Sequence, residues 1–576
     1  MDVVLSSSIY VVLGGVDIQP ITSSNIMEVV IDQHAHLPGM FTIRLFDPRL
    51  ELLYSGLLSP AQGVEINSVA PDGSRIRLIQ GQITAIEPVF GPDHTVELLV
   101  RGYDFAYRLY RHVRSRAFLN VKDSDLAERI AQEWGLQPVV EKTATVYHHI
   151  YQHNQSDLEF LLERAWRIGY ECFVRDDRLY FRRPNPLGQA SVSLNWGDDL
   201  LSFHPRMSFA EQVNEVIVRG WDWEQQKLVV GRAREGRLYA KVNDFNRINW
   251  SSQLGQGTLV VVDQPVDTQA EADILAAARL DELSGVFVSA EGLAFRRPDI
   301  LAGEEVELLG LGDQFSGTFL VTSATHTFSA AEGFETHFTV QGTRTGLVGD
   351  MMAARLNQNR WFGLYTAVVT NTNDPTGRGQ VKVRFPWLDD SGESYWVRVA
   401  SMGGSGGQGL TMLPSVNDQV LVAFEHGDFD RPVIVGSLPK PPQQSNSNGS
   451  GAGPYAPVVP AGKTPKSENG RITNGWWQTS NGHGIAIQDS QTEQNIEIRT
   501  AGGHTLLLDE VQNTITLNTA KGQTIILNDQ NNTITITSKG SLEINSKGSL
   551  NLNTNSNLNL SANGQINLKG KEINLN

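Results

Sequence analysis

The last quarter of the chain repeats itself every eight residues. Ser538-Lys539-Gly540-Ser541-Leu542-Glu543-Ile544-Asn545 is followed by Ser546-Lys547-Gly548-Ser549-Leu550-Asn551-Leu552-Asn553, and Leu558/Leu560 and Ile566/Leu568 continue the series. Such a period constrains the fold strongly, because every unit must find the same surroundings. Aliphatic residues alternate with Asn, Thr, Ser or Lys, as in a half-buried strand, and Gly or Asn marks each bend. With slips of a residue or two the register runs back through Ile534/Ile536, Ile525/Leu527, Ile515/Leu517, Leu506/Leu508 and Ile496/Ile498.

A lone ribbon of this kind is unstable. Each branched aliphatic side chain contributes roughly 1.5–3 kcal/mol when buried and nothing while wet, so the ribbon needs partners. Either three identical chains each supply one wall of a triangular tube, or one chain stacks three octads per coil of a solenoid. No period of three octads is superimposed on the repeat, which favours the intertwined homotrimer. The expected needle core is Ile534, Ile536, Leu542, Ile544, Leu550, Leu552, Leu558, Leu560, Ile566 and Leu568.

A chain of 576 residues exceeds one core and implies several domains. Its 47 basic and 63 acidic residues leave a net charge of −16, which disfavours nucleic acid and anionic membranes as partners. The single cysteine, Cys172, excludes an internal disulfide and a multi-cysteine metal site. No Lys or Arg precedes Arg44, the run Ile9–Leu13 is short for a signal core, and no segment approaches the roughly 20 apolar residues of a membrane span. The expectation is synthesis in the cytoplasm without a signal peptide.

Residues 3–100 are strand-rich, with Ile9–Leu13, Phe41–Leu45, Arg75–Ile79 and Thr95–Val100 punctuated by Gly and Pro, which suggests a β-barrel. Gly63–Ile66, a strand opened by Gly81, and Leu99–Gly102 are echoed by Gly303–Leu308, a strand opened by Gly317, and Thr339–Gly342. This predicts two tandem copies of one barrel, so that three chains present six similar units able to seat a hexameric ring. Helices lie between them. Ser156-Asp157-Leu158-Glu159 is a capping box followed by Leu158, Leu161, Leu162, Ala165 and Ile168 at helical spacing. Others run from about Ser124 to Gly135 and from Thr268, with Glu271 as its capping partner.

Tyr103-Asp104-Phe105, Asp125-Leu126-Ala127 and Gln155–Leu161 through Arg167–Tyr170 resemble the hub part of VgrG proteins and of the contractile-phage tail hub. Residues 362–438 read as a five-stranded OB-like barrel, with strands at Tyr365–Val369, Gln380–Phe385, Trp396–Val399, Gln419–Phe424 and Pro432–Val435 and with Gly403–Gly409 as a loop. It lacks the basic, aromatic-studded face of a nucleic-acid binder. Gly379–Trp387, Tyr395–Val399, Leu413–Val420 and Phe424–Asp428 through Arg431–Gly436 are similar to the OB domain of VgrG and phage baseplate spikes. The stretch from Pro439 to about Gly470, rich in Pro, Gln, Ser, Asn and Gly, reads as a linker.

Other chemistry finds little support. His34-Ala35-His36, placed on one face of an expected strand, and His148-His149 with His153 lack the companion ligands of a metal site. Gly403–Gly409 lacks the Lys-Ser/Thr of a phosphate loop, and no Ser, His and Asp sit in a nucleophile elbow. From Thr479 onward there is no Phe, Tyr, Trp, Pro, Met or Cys, whereas sugar clefts normally offer aromatic platforms and a carboxylate pair. Some related phage spikes end in a His-x-His iron site; Glu572-Ile573-Asn574-Leu575-Asn576 departs from it.

The expected fold is mainly β with a helical insertion: hub barrel one (1–105), a helical and mixed insertion (106–190), hub barrel two with a helix (191–350), an OB fold (351–438), a linker (439–478) and a triple-stranded β-helix needle of a homotrimer (479–576). The resemblance implies a non-enzymatic hub and membrane-puncturing spike of a contractile injection system, adapting a hexameric inner tube to a trimeric needle, with no catalytic, cofactor or metal residues. The partners it implies are the inner tube protein, other baseplate proteins, effector cargo, and a PAAR-type tip protein seated on Ile573, Leu575 and Asn576. The target membrane is met mechanically. The competing readings are a β-helical polysaccharide-degrading tailspike and a trimeric fibre or adhesin.

Overall fold

The computed structural model describes residues 9–17, 25–184, 190, 192–222, 225–242, 255, 257–343, 360–388, 392–405, 408–410, 412–438, 467–468, 471–479 and 481–574. The chain is mostly β with few helices and divides into two compact units, 1–441 and 442–576.

The first unit is built on an eleven-stranded antiparallel sheet. Eight of its strands carry the argument: β1 (Ile26–His34), β2 (Met40–Phe46), β3 (Arg75–Phe90), β4 (Val96–Asp104), β5 (Leu200–Met207), β6 (Val288–Phe295), β7 (Ser323–Ser329) and β8 (Gly333–Val340). Alternation places Val29, Ile31, Phe41, Ile43, Leu45, Leu98 and Val100 in one core and Phe338, Val340, Ala290, Ala294 and Ala324 in a second. Across the sheet the order is β5-β6-β8-β7 followed by β1-β2-β4-β3, every neighbouring pair antiparallel. The same spatial order, chain order and strand directions thus occur twice. A Phe–Gly pair joins the two middle strands of each copy, with the two strands' roles exchanged. Phe41 faces Gly102 across β2 and β4, and Phe338 faces Gly292 across β8 and β6. In both places a Cβ on the glycine would overlap the phenyl ring.

The two copies are not separate barrels laid end to end. β7 pairs with β1 in continuous register, Thr325 opposite Asp32 and His326 opposite Ile31, so their strands form one sheet. Propensity and periodicity are local and carry no information about a pairing between residues nearly 300 apart. Unpaired edges remain on both sides. β5 closes one side of the sheet among the described residues, and the second half of β3, from Thr84 to Phe90, pairs only with β4.

Three helices stand where capping signals put them. α1 (Asp123–Glu133) and α2 (Asp157–Arg167) pack Leu126, Ile130, Leu158, Leu161 and Ala165 into a common core. The Ser156 hydroxyl accepts from Glu159 N–H at 3.2 Å while the Glu159 carboxylate accepts from Ser156 N–H at 2.8 Å. α3 (Gln269–Gly285) is capped by Thr268, whose hydroxyl accepts from Glu271 N–H at 3.2 Å; the Glu271 carboxylate accepts instead from Asp267 N–H.

Residues 365–438 form a five-stranded sheet whose inward positions, Ala367, Val369, Val383, Val420, Val422 and Ile434, are buried. Two local expectations change. Met402–Ser405 and Gln408–Leu410 pair as a short hairpin where a glycine-rich loop was expected. β1 ends at His34, so His36 lies beyond the strand, with its N–H donating to His34 Nδ1 at 3.0 Å. Cys172 is buried, which pushes its thiol up to about 12.

The second unit contains a seven-stranded antiparallel meander from Asn474 to Thr537. Beyond it the chain forms bends but no strand within itself.

Candidate functional site

The meander is one layer thick, and its geometry follows from residue spacing. Ile496, Leu506, Ile515, Ile525 and Ile534 advance by ten, nine, ten and nine residues, enough for a five-residue strand and a reversal. Reversals at Thr479–His483, Thr500–His504 and Thr519–Gln523 repeat one design. The threonine hydroxyl accepts from the N–H four residues on at 3.1–3.2 Å, and the intervening glycine takes φ of 86–90°.

Pairing then brings aliphatic side chains opposite one another in two columns. Trp477, Ile485, Ile498, Leu506, Leu517, Ile525 and Ile536 face one another in succession, and so do Ile487, Ile496, Leu508, Ile515, Leu527 and Ile534. Among the described residues they stay open: Ile515 is 43% and Ile534 73% exposed. A continuous apolar face of this size is uncommon on a monomer's surface.

From Leu542 the step shortens to eight, and the structure changes with it. The bends persist, with the Ser538 hydroxyl donating to Ser541 O at 3.1 Å and accepting from Gly540 N–H at 3.2 Å, and Ser546 repeating the pattern with Ser549 and Gly548. Among the described residues, the stretches expected to be strands between them pair with nothing in their own chain. Leu542, Ile544, Leu550, Leu552, Leu558, Leu560, Ile566 and Leu568 are all exposed. Of the expected tip residues Ile573 is exposed, while Leu575 and Asn576 lie outside the described residues.

The histidines serve other surroundings. His36 lies against Trp166, and burial lowers its pKa to about 3. His148, His149 and His153 lie on the strand Tyr147–Ser156, against the five-stranded barrel. Among the described residues no three potential ligands converge on a metal position.

Two features escaped the sequence reading: the open edges of β5 and β3, and the docking of the barrel on Tyr147–Ser156. The recurring Thr-x-x-Gly at 479, 500 and 519 could have signalled the hairpin reversals in advance.

Comparison with known proteins follows the same division. A family model described as the Alg8 N-terminal domain matches residues 26–330, more than half of the chain and the whole eight-strand repeat but its last strand. A second, described as the type VI secretion system/phage-baseplate injector OB domain, matches 365–438. The type VI secretion system spike protein VgrG1c of Pseudomonas aeruginosa is 22% identical over 518 residues, covering 82% of this chain and 66% of its own length. The chain belongs to the Alg8 N-terminal-domain family and is similar to VgrG spike proteins.

Among other VgrG relatives, VgrG5 of the same organism is 40% identical over 87 residues, 14% of this chain and 11% of that protein. The chain thus spans two-thirds or less of the length of these relatives. A solved Escherichia coli protein, c3393, described as a type VI secretion component similar to phage T4 gp27 and gp5, superposes with a TM-score of 0.48 at 14% identity, covering 76% of this chain and 99% of its own. In the VgrG-like chain, no helix of the described residues is long and apolar enough to cross a membrane.

Proposed function

We propose that this VgrG-like chain is a non-enzymatic, homotrimeric hub and puncturing spike of a contractile injection system. The observation that carries it is the pair of uncovered aliphatic columns, prolonged by octads that pair with nothing in their own chain. Three copies, each contributing one wall, would bury both columns and give the octads their missing strand partners as a triple-stranded β-helix. The needle core is then Ile534 through Leu568, and Ile573, with Leu575 and Asn576, meets a PAAR-type tip protein.

The duplicated strand order supports the six-fold side of the adaptor. β7 and the end of β3 occupy equivalent places, as do β1 and β5. The junction between β7 and β1 inside one chain is therefore a template for β3 against β5 of the next copy, so three chains would offer six like units to a hexameric inner tube. Baseplate proteins and effector cargo complete the expected partners. The domain boundaries belong to this proposal: hub 1–350 with its insertion at 106–190, OB fold 351–438, linker 439–478 and needle 479–576.

Mass in solution tests it. The expected species is three times 63.4 kDa; a stable monomer at micromolar concentration removes the reading. A full-length trimer that binds no tip protein of its own system removes the tip assignment alone.

A further inference from the structure

The histidine-bearing strand Tyr147–Ser156 and the turn Glu425–Arg431 are far apart in sequence and meet in the fold. Phe429 from that turn packs against Tyr151 and His153 with ring centroids 5.0 Å from each, and Trp361 closes the cluster at 5.2 Å. Beside it the Asp430 carboxylate accepts from Tyr151 N–H at 2.7 Å. Arg431 reaches out of the barrel to Asp267, ahead of α3, with Glu271 at 3.6 Å and Asp428 at 3.6 Å. His148 stacks on Tyr395 of the barrel at 5.4 Å.

We propose that the Glu425–Arg431 turn is a proton-responsive latch holding the OB barrel on the hub, with Asp430 and the histidines 149 and 153 as its opposed sensors. This joint lies within one chain and does not depend on the trimer. Around Asp430 stand Asp428 on its own turn and Arg164 and Arg167 of α2. Arg164 is committed through Nε to Asp123 of α1 at 2.6 Å and lies over the Tyr147 ring, while its buried Nη2 has no hydrogen-bond partner. His153 faces Glu163 and Asp428, and His149 faces Lys382 of the barrel, with its Nε2 buried and unpartnered. Asp267 faces Arg431, Glu271 and Glu425. Ionising any group in this joint therefore acts on a crowded, poorly hydrated set of charges.

The two kinds of sensor pull in opposite directions. Burial and then Asp428 raise the Asp430 carboxyl to about 7, so its contribution to the closed joint is complete below the ordinary carboxyl range and is lost as pH rises toward 7. Burial lowers His149 to about 4 and holds His153 below its ordinary value, so their contribution is complete above the ordinary histidine range and is lost as pH falls below it, toward 4 for His149. Between about 4 and 6.5, opening releases one proton from Asp430 and takes up as many as two on the histidines. The wild-type joint therefore loosens on acidification, by up to about tenfold per pH unit, with Asp430 partly offsetting the histidines.

Hydrogen–deuterium exchange on the full-length protein reads this directly, through protection of the segments 147–156 and 425–434 between pH 5 and 7, corrected for intrinsic exchange. Segment 29–31 in the hub core is the folding control. Asp430→Asn should steepen the loss of protection on acidification by up to about tenfold per unit, and His153→Gln should flatten it. Profiles parallel to wild type in His153→Gln, or in an Asp430→Asn protein whose control segment stays protected, overturn the proposal. If Asp430→Asn does not fold, His153→Gln decides alone.

Discussion

Two stretches of the needle share one alphabet and behave differently. Between Asn474 and Thr537 the aliphatic pairs come nine to eleven residues apart, and the chain folds back on itself into a hydrogen-bonded wall. Beyond Thr537 they come eight apart, the serine bends form, and the strands stay unpaired. One to three residues per unit separate a strand that pairs within its own chain from one that, among the described residues, does not. Backbone amides left without a ladder are costly once water is excluded, so on the proposed trimer the octads would draw both side-chain cover and hydrogen bonds from other chains, whereas the wall would draw cover alone.

The largest expected effect follows from that difference. Leu552→Asp places a carboxylate from each of three chains inside one closed tube, and we expect loss of the stable trimer, read as a fall in mass by analytical ultracentrifugation; an unchanged trimer would mean that Leu552 points to water. Truncation to alanine is the finer comparison. Leu552 is 62% exposed in the single chain and Ile515 43%, so the isolated chain predicts small costs for both. If copies cover them, Leu552→Ala and Ile515→Ala should each cost about 2–5 kcal/mol per chain, read from denaturant melts of the trimer. Costs under about 0.5 kcal/mol at both positions would break the symmetry between the regions and leave the columns uncovered.

A smaller effect is expected where the hub copies are compared with each other. Gly292→Ala should destabilise the hub by about 1–3 kcal/mol, because the new methyl group meets the Phe338 ring, and Gly102→Ala by at least as much, because it meets the Gln82 carbonyl oxygen as well as the Phe41 ring. A cost at only one would show that the two copies tolerate crowding differently.

The smallest expected effect separates hub from needle. Burial lowers His36 and His326 to about 3 each, so their contributions are lost as pH falls below the ordinary histidine range. Burial raises Asp104 to about 7, and its contribution grows in the same direction, offsetting part of that loss. Net, the hub should lose stability from pH 6.5 to 5 while exchange in the needle wall is unchanged after correction for intrinsic rates. A hub melt that is flat over this window would contradict the burial of the two histidines.

Local grammar was readable in the sequence. Ser156 with Glu159 and Thr268 announced helix starts, and alternation at Val420/Val422 and Ile515/Leu517 announced strands with the correct faces. What could not be read were pairings between distant residues. Nothing near Thr325 indicates Asp32 as its partner, and nothing near His153 indicates Phe429. The histidine strand looked like a thin metal motif because the barrel residues packed on it, Trp361, Tyr395 and Phe429, are more than 200 positions away. The glycines at 403–409 suggested a loop, yet glycine permits an extended hairpin as readily as a bend.

The shortening of the repeat after Thr537 also orders events in time. A wall that closes by local reversals can form on one chain within its own folding time, before any partner arrives. In the proposed trimer the octads could not, and their completion would be second or third order in chain concentration. Each finished wall, meeting two others, would fix which strand of one copy lies beside which strand of the next before the octads join. The hairpins would then be the starter of a zip, and a chain with a damaged wall would reach the octads out of step.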